Sequence, residues 1–81
     1  MHYTTTTYAH TFGQIAAAVV NEGKSFRVDF DGREEGQEVL LAIPHGSNQW
    51  GPTEEYISFD KDLRLRDSTQ HVWDVLRTIR S

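Results

Sequence analysis

The stretch SFRVDFDGREEGQEVLLAI, residues 25–43, reads as two β-strands joined by a turn. From Ser25 to Asp31, Phe26, Val28 and Phe30 alternate with Arg27, Asp29 and Asp31, the period of a half-buried antiparallel strand. Asp31-Gly32 opens a turn and Gly36 lies close by, so a short hairpin loop is expected. From Glu38 to Ile43, Val39, Leu41 and Ile43 form one apolar face, and Leu40 and Ala42 make the other face apolar as well. A strand apolar on both faces belongs in the middle of a sheet. Pro44 cannot donate to a ladder and is expected to end it.

Outward from this hairpin, Thr11 and Gln14 form a T-x-x-Q capping signature. Phe12, Ile15, Ala16, Val19 and Val20 follow at helical spacing, and Gly23 is the natural stop. On the far side, residues 44–55 (PHGSNQWGPTEE) are rich in Gly, Pro and polar residues and read as a long loop. Tyr56–Phe59 resumes a strand with Ile57 and Phe59 inward, and Leu63/Leu65 alternating with Arg64/Arg66 suggests a further short one. Asp67 and Gln70 repeat the capping signature before a helix that buries Val72, Val75, Leu76 and Ile79. Residues 3–8 (YTTTTY) favour an extended conformation, as an edge strand or a loose terminus. The sum is an α+β two-layer sandwich, β-α-β-β-β-α, with an antiparallel sheet of three to five strands and both helices on one face.

The chain has 81 residues, 37% of them hydrophobic and 25% charged, which suits one domain over residues 1–81. It has no cysteine, so disulfides, thiolate nucleophiles and cysteine-ligated zinc are excluded. No apolar run approaches the ~20 residues of a membrane span, and Met1-His2-Tyr3-Thr4 lacks the basic and apolar segments of a signal peptide. A small cytoplasmic domain is expected. His2, His10, His45 and His71 form no H-x3-H or H-E-x-x-H pair, and no metal or other cofactor is expected. The carboxylate pairs Glu34/Glu35, Glu54/Glu55 and Asp60/Asp62 sit in turns where both members stay solvated, unlike an acid–base pair. No serine lies in a G-x-S-x-G elbow, so no catalytic residues are assigned and an enzyme is not expected.

The formal net charge of −4 is unevenly spread. Glu22–Asp62 holds ten acids against four bases, whereas Leu63 onward holds four arginines against two acids. Two surfaces are therefore candidates for partner binding. One is the acidic hairpin of Asp29, Asp31, Glu34, Glu35 and Glu38, interrupted by Arg27 and Arg33, which suits a basic partner or imitates a phosphate backbone. The other is the 44–55 segment with Trp50, Glu54 and Glu55, where Trp50 either anchors an interface or folds back over an open end of the core.

In size, acidity, absent cysteine and absent catalytic motif, the chain resembles small phage-encoded inhibitors of the anti-CRISPR type. That resemblance is a whole-chain profile and not a motif. It implies a stoichiometric inhibitor that occludes a larger protein or nucleoprotein complex, a CRISPR effector in the host cytoplasm, with no membrane and no cofactor. Three other classes stay open: a structural module acting as a homodimer or through an edge strand; an antitoxin-like regulator; and a nucleic-acid binder. From Thr11 to Ile79 the element order is similar to that of a double-stranded-RNA-binding domain. However, the second helix opens with Asp67-Ser68-Thr69-Gln70-His71, where that family carries lysines, so direct nucleic-acid binding is not expected.

Overall fold

A computed structural model describes residues 11–31 and 38–80. The expected strand at 3–8, the hairpin loop, Arg33, Glu34 and Glu35 lie outside the described residues. Within them the order is α1 (Phe12–Asn21), β1 (Arg27–Asp31), β2 (Glu38–Asn48), β3 (Gly51–Asp60) and α2 (Thr69–Arg80). The strands form one antiparallel sheet in the order β1-β2-β3. This is the expected α+β arrangement, with β2 at the centre.

Helix α1 is delimited as its sequence dictates. The Thr11 hydroxyl accepts the Gln14 amide at 3.1 Å. At the other end Gly23 takes φ +79°, and the amides of Gly23 and Lys24 reach the carbonyls of Val20 and Val19. That double bond pattern is a Schellman stop, which needs a left-handed residue at Gly23. Ile15 and Val19 are buried, with Phe12 and Ala18 packed beside them. Val20, at the same helical spacing, is 56% exposed, because the buried stripe is narrower than the apolar one.

Both helices cover one sheet face, where Val39, Leu41, Ile43, Ile57 and Phe59 meet Ile15, Val19, Val72, Val75, Leu76 and Ile79. Phe12 packs edge-on against Phe59, with ring centroids 5.0 Å apart. Phe30 was expected on this face beside Val28, yet it is 65% exposed, so among the described residues neither helix reaches that corner.

Two expected boundaries are corrected. Pro44 does not end its strand: β2 runs to Asn48 and β3 begins at Gly51, so 44–55 is no loop but the outer part of the β2–β3 hairpin. β1 begins opposite Ala42, so beyond that residue β2 has a neighbour on one side only, and a proline is tolerated on such an edge. Nor does Asp67 cap α2. The Ser68 hydroxyl does so, accepting the His71 amide at 3.0 Å, while Asp67 accepts the Ser58 amide at 2.8 Å. The 63–66 segment pairs with the rest only in isolated bridges, Leu65 with Phe59 and Arg64 with Thr11, and forms no further strand.

Candidate docking surface

Side chains alternate across the sheet, so the register assigns its second face. Arg27 and Asp29 of β1 share it with Glu38, Leu40, Ala42 and Pro44 of β2 and with Pro52, Glu54, Tyr56 and Ser58 of β3. No helix covers this face among the described residues. Its centre is Ala42, fully buried between Arg27 and Tyr56 in the register. The Arg27 guanidinium binds Asp29 with two nitrogens, both at 2.8 Å, and reaches Glu54 at 2.7 and 3.1 Å. The Tyr56 hydroxyl donates to Glu54 at 2.8 Å. One planar guanidinium thus joins β1 to β3 across the apolar middle of β2, a geometry lysine cannot reproduce.

The electrostatics follow. The Arg27 hydrogen bonds hold the Asp29 carboxyl below its ordinary value, and they do the same for Glu54, helped there by Tyr56. Its bond to Glu54 pushes the Tyr56 phenol up. Arg27 itself stays charged at every accessible pH. Asp60 is also lowered, chiefly by the Arg64 amide.

Of the residues selected from sequence, the structure brings Asp29, Glu38 and Glu54 to this one face. Glu38 opens β2 opposite Asp31 and Asp60, with Arg66 at 3.8 Å. Asp31 closes β1. Glu55 pairs with Ile43 on the helix-covered face, so Glu54 and Glu55 point to opposite sides. The acidic character is therefore tempered: two arginines lie among the carboxylates, and the cation that organises the face, Arg27, appeared from sequence only as an interruption. Its alternation with Asp29 was the signal.

Beyond Ala42 the β2–β3 hairpin continues as an arm with little beneath it. His45 and Gly46 stand opposite Thr53 in a bulge, where Gly46 takes φ +73° and the Thr53 hydroxyl donates to the His45 carbonyl. A bulge of this kind bends the strand and increases its twist. At the tip, Asn48 and Gly51 flank Gln49-Trp50. Neither central residue has positive φ, which excludes the primed hairpin turns, while Gly51 takes φ +123°. Asn first and Gly fourth are the residues a type I turn prefers. The Asn48 side chain accepts the Trp50 amide at 2.9 Å and braces the turn. Trp50 itself is 83% exposed. Of the two readings of this residue, the exposed one holds. Pro44, Pro52 and Tyr56, all exposed, continue an apolar path from the tip onto the open face.

Elsewhere an open groove of about 390 Å³ separates the two helices, lined by Ala17, Ala18 and Leu76 and closed at one end by the Glu22–Arg80 pair at 2.9 Å. Its charged groups satisfy each other. Arg77 lies 3.7 Å from Asp74, so three of the four C-terminal arginines (Arg66, Arg77 and Arg80) stand beside carboxylates. Among the described residues no three His, Asp or Glu side chains converge to hold a metal ion, and no helix is long and apolar enough to cross a membrane.

No family model matches the chain, and no curated relative or solved structure does.

Proposed function

We propose that this chain is a protein-docking inhibitor that seats the β2–β3 arm and the adjoining acidic face on a larger protein or nucleoprotein complex and blocks it by occlusion. Trp50 is the observation that supports this reading most. An indole 83% exposed at the braced tip of a projecting hairpin contributes almost nothing to the core beneath it. Tryptophan is the residue most enriched among interface anchors, and a rigid turn lowers the entropy cost of placing it in a pocket. Glu54, Asp29 and Glu38, three carboxylates set against Arg27 and Arg66, leave a rim that leans only slightly negative toward a basic surface. The arginine surface is a weaker candidate, because carboxylates beside Arg66, Arg77 and Arg80 offset the charge that phosphate binding needs.

In its specific form the proposal follows the anti-CRISPR resemblance, with a CRISPR effector as the partner. Purified effector would be titrated with the chain and its binding to target DNA read by gel shift. The expected result is a stoichiometric loss of DNA binding with the wild-type chain and an inhibition curve shifted about thirtyfold to higher concentration with Trp50→Ala. Undiminished DNA binding at excess inhibitor, with no complex on size exclusion, would contradict the effector as target. The Trp50 anchor would then be tested on other partners.

A further inference from the structure

The two outer edges of the sheet differ. From Tyr56 to Asp60 the β3 edge is closed by its own chain. The Asp60 amide donates to the Arg64 carbonyl at 2.8 Å, the Arg66 amide to the Ser58 carbonyl at 2.9 Å, and the Ser58 amide to Asp67 at 2.8 Å. His71 Nε2 reaches the Tyr56 carbonyl at 2.7 Å. The β1 edge has no such cover among the described residues, and beside it Phe30 stands 65% exposed. An open edge is a template for a further strand.

We infer that the β1 edge pairs with the β1 edge of a second copy of this chain, antiparallel about a two-fold axis through Val28. The segment Phe26-Arg27-Val28-Asp29-Phe30 is self-complementary in that register. Directly opposed residues of an antiparallel pair share a face. Phe26 then meets the second copy's Phe30, and Val28 meets Val28, on the helix side. Arg27 meets the second copy's Asp29 on the open side. Within one chain Arg27 and Asp29 already touch at 2.8 Å, so the four charges alternate in sign around the axis. Neighbouring registers lack this property. Centring on Asp29 opposes Asp29 to itself, centring on Arg27 opposes Arg27 to itself, and centring on Phe30 sets Asp29 against Asp31. Like charges directly opposite destabilise a pair, whereas opposite charges and aromatic pairs stabilise it. The register is thus specified by charge, and the product is one six-stranded sheet, β3-β2-β1-β1-β2-β3, with an arm at each end.

A contact of one short strand pair is small, so the dimer is expected to be weak and concentration-dependent. Sedimentation equilibrium on the full chain, from about 5 to about 500 µM, should show a monomer–dimer equilibrium. Arg27→Asp or Asp29→Arg alone should weaken it by about tenfold, and the Arg27→Asp/Asp29→Arg double variant, which restores the alternation, should recover most of that loss. Circular-dichroism melts of each variant check that folding is retained. Because the chain has no cysteine, Val28→Cys gives an independent readout. Opposed Cα atoms about 4.5–5.5 Å apart lie within disulfide range, so Val28→Cys should cross-link to a dimer under mild oxidation and Phe30→Cys should not. A monomer at every concentration with no Val28→Cys cross-link overturns the inference, whether residues 3–8 of the same chain cover the edge or nothing does. So does a dimer that the double variant fails to recover.

Discussion

Replacing Trp50 by alanine separates a docking residue from a core residue. Only about a sixth of the Trp50 surface is covered by its own chain. For a side chain of ~200 Å² at ~25 cal/mol per Å², that coverage contributes no more than about 1 kcal/mol to folding. A domain of this size changes its Tm by about 4–8 °C per kcal/mol, so a loss of 8 °C is the ceiling. The exposed remainder, buried in a partner's pocket, represents several kcal/mol before ordering costs, and a loss of about 2 kcal/mol on truncation is expected. That is roughly thirtyfold in Kd. The assay is a thermal melt paired with calorimetric binding to the captured partner, and acrylamide quenching of a Trp73→Phe chain in which Trp50 is the sole indole. Easy quenching, a nearly unchanged Tm and a large loss of affinity are expected. A Tm drop well beyond 8 °C, or an indole shielded from quencher in the free chain, would show that Trp50 folds onto the core and would refute the reasoning.

Three further outcomes follow from the packing and charge. Ile57→Ala removes a fully buried side chain opposite Leu41 and should cost about 3–4 kcal/mol, read by chemical denaturation. A cost under about 1 kcal/mol would mean the β3–helix core is not packed as described. Leu63 holds φ +66° in the Asp60–Arg64 turn, so Leu63→Gly should raise stability by about 0.5 kcal/mol, and a clear loss would contradict that strain. Asp29 and Glu54 have lowered folded pKa values, so their contribution is complete above the ordinary carboxylate range and is lost as pH falls through the lowered values. Carbon-detected titration should find both midpoints low, with Glu54 moving up in Arg27→Gln; ordinary midpoints in the wild type would sink the Arg27 bridge.

Much of the scaffold was legible because it depends on local rules. The Thr11 cap, the Gly23 stop and the buried stripe of α2 follow from spacing alone, and the two-sided apolarity of β2 placed it centrally. What escaped depends on distance along the fold. Pro44 and the Gly/Pro content of 44–55 look like loop until one knows that β1 pairs with β2 no further than Ala42 and leaves a free edge. Asn48 and Gly51, spaced as a type I turn requires, were the one local trace of the hairpin tip. Alternation assigned Phe30 its face correctly but carried no information on how far the helices extend over that face. Asp67 looked like a cap because capping is local, whereas its actual partner, the Ser58 amide, comes from another element. For the candidate site, the same alternation that grouped Arg27 with Asp29 did not reveal that Glu54, from β3, completes the bridge.

The most direct test of the docking account is a quantitative capture from bacterial lysate containing an active CRISPR effector. Wild-type chain, Trp50→Ala, and a chain with Asp29 and Glu38 reversed to lysine would be compared with and without nuclease. A partner recovered in both nuclease conditions, lost with Trp50→Ala and weakened by the charge reversal, is the predicted result. Recovery that disappears with nuclease, or that is indifferent to both variants, would contradict it.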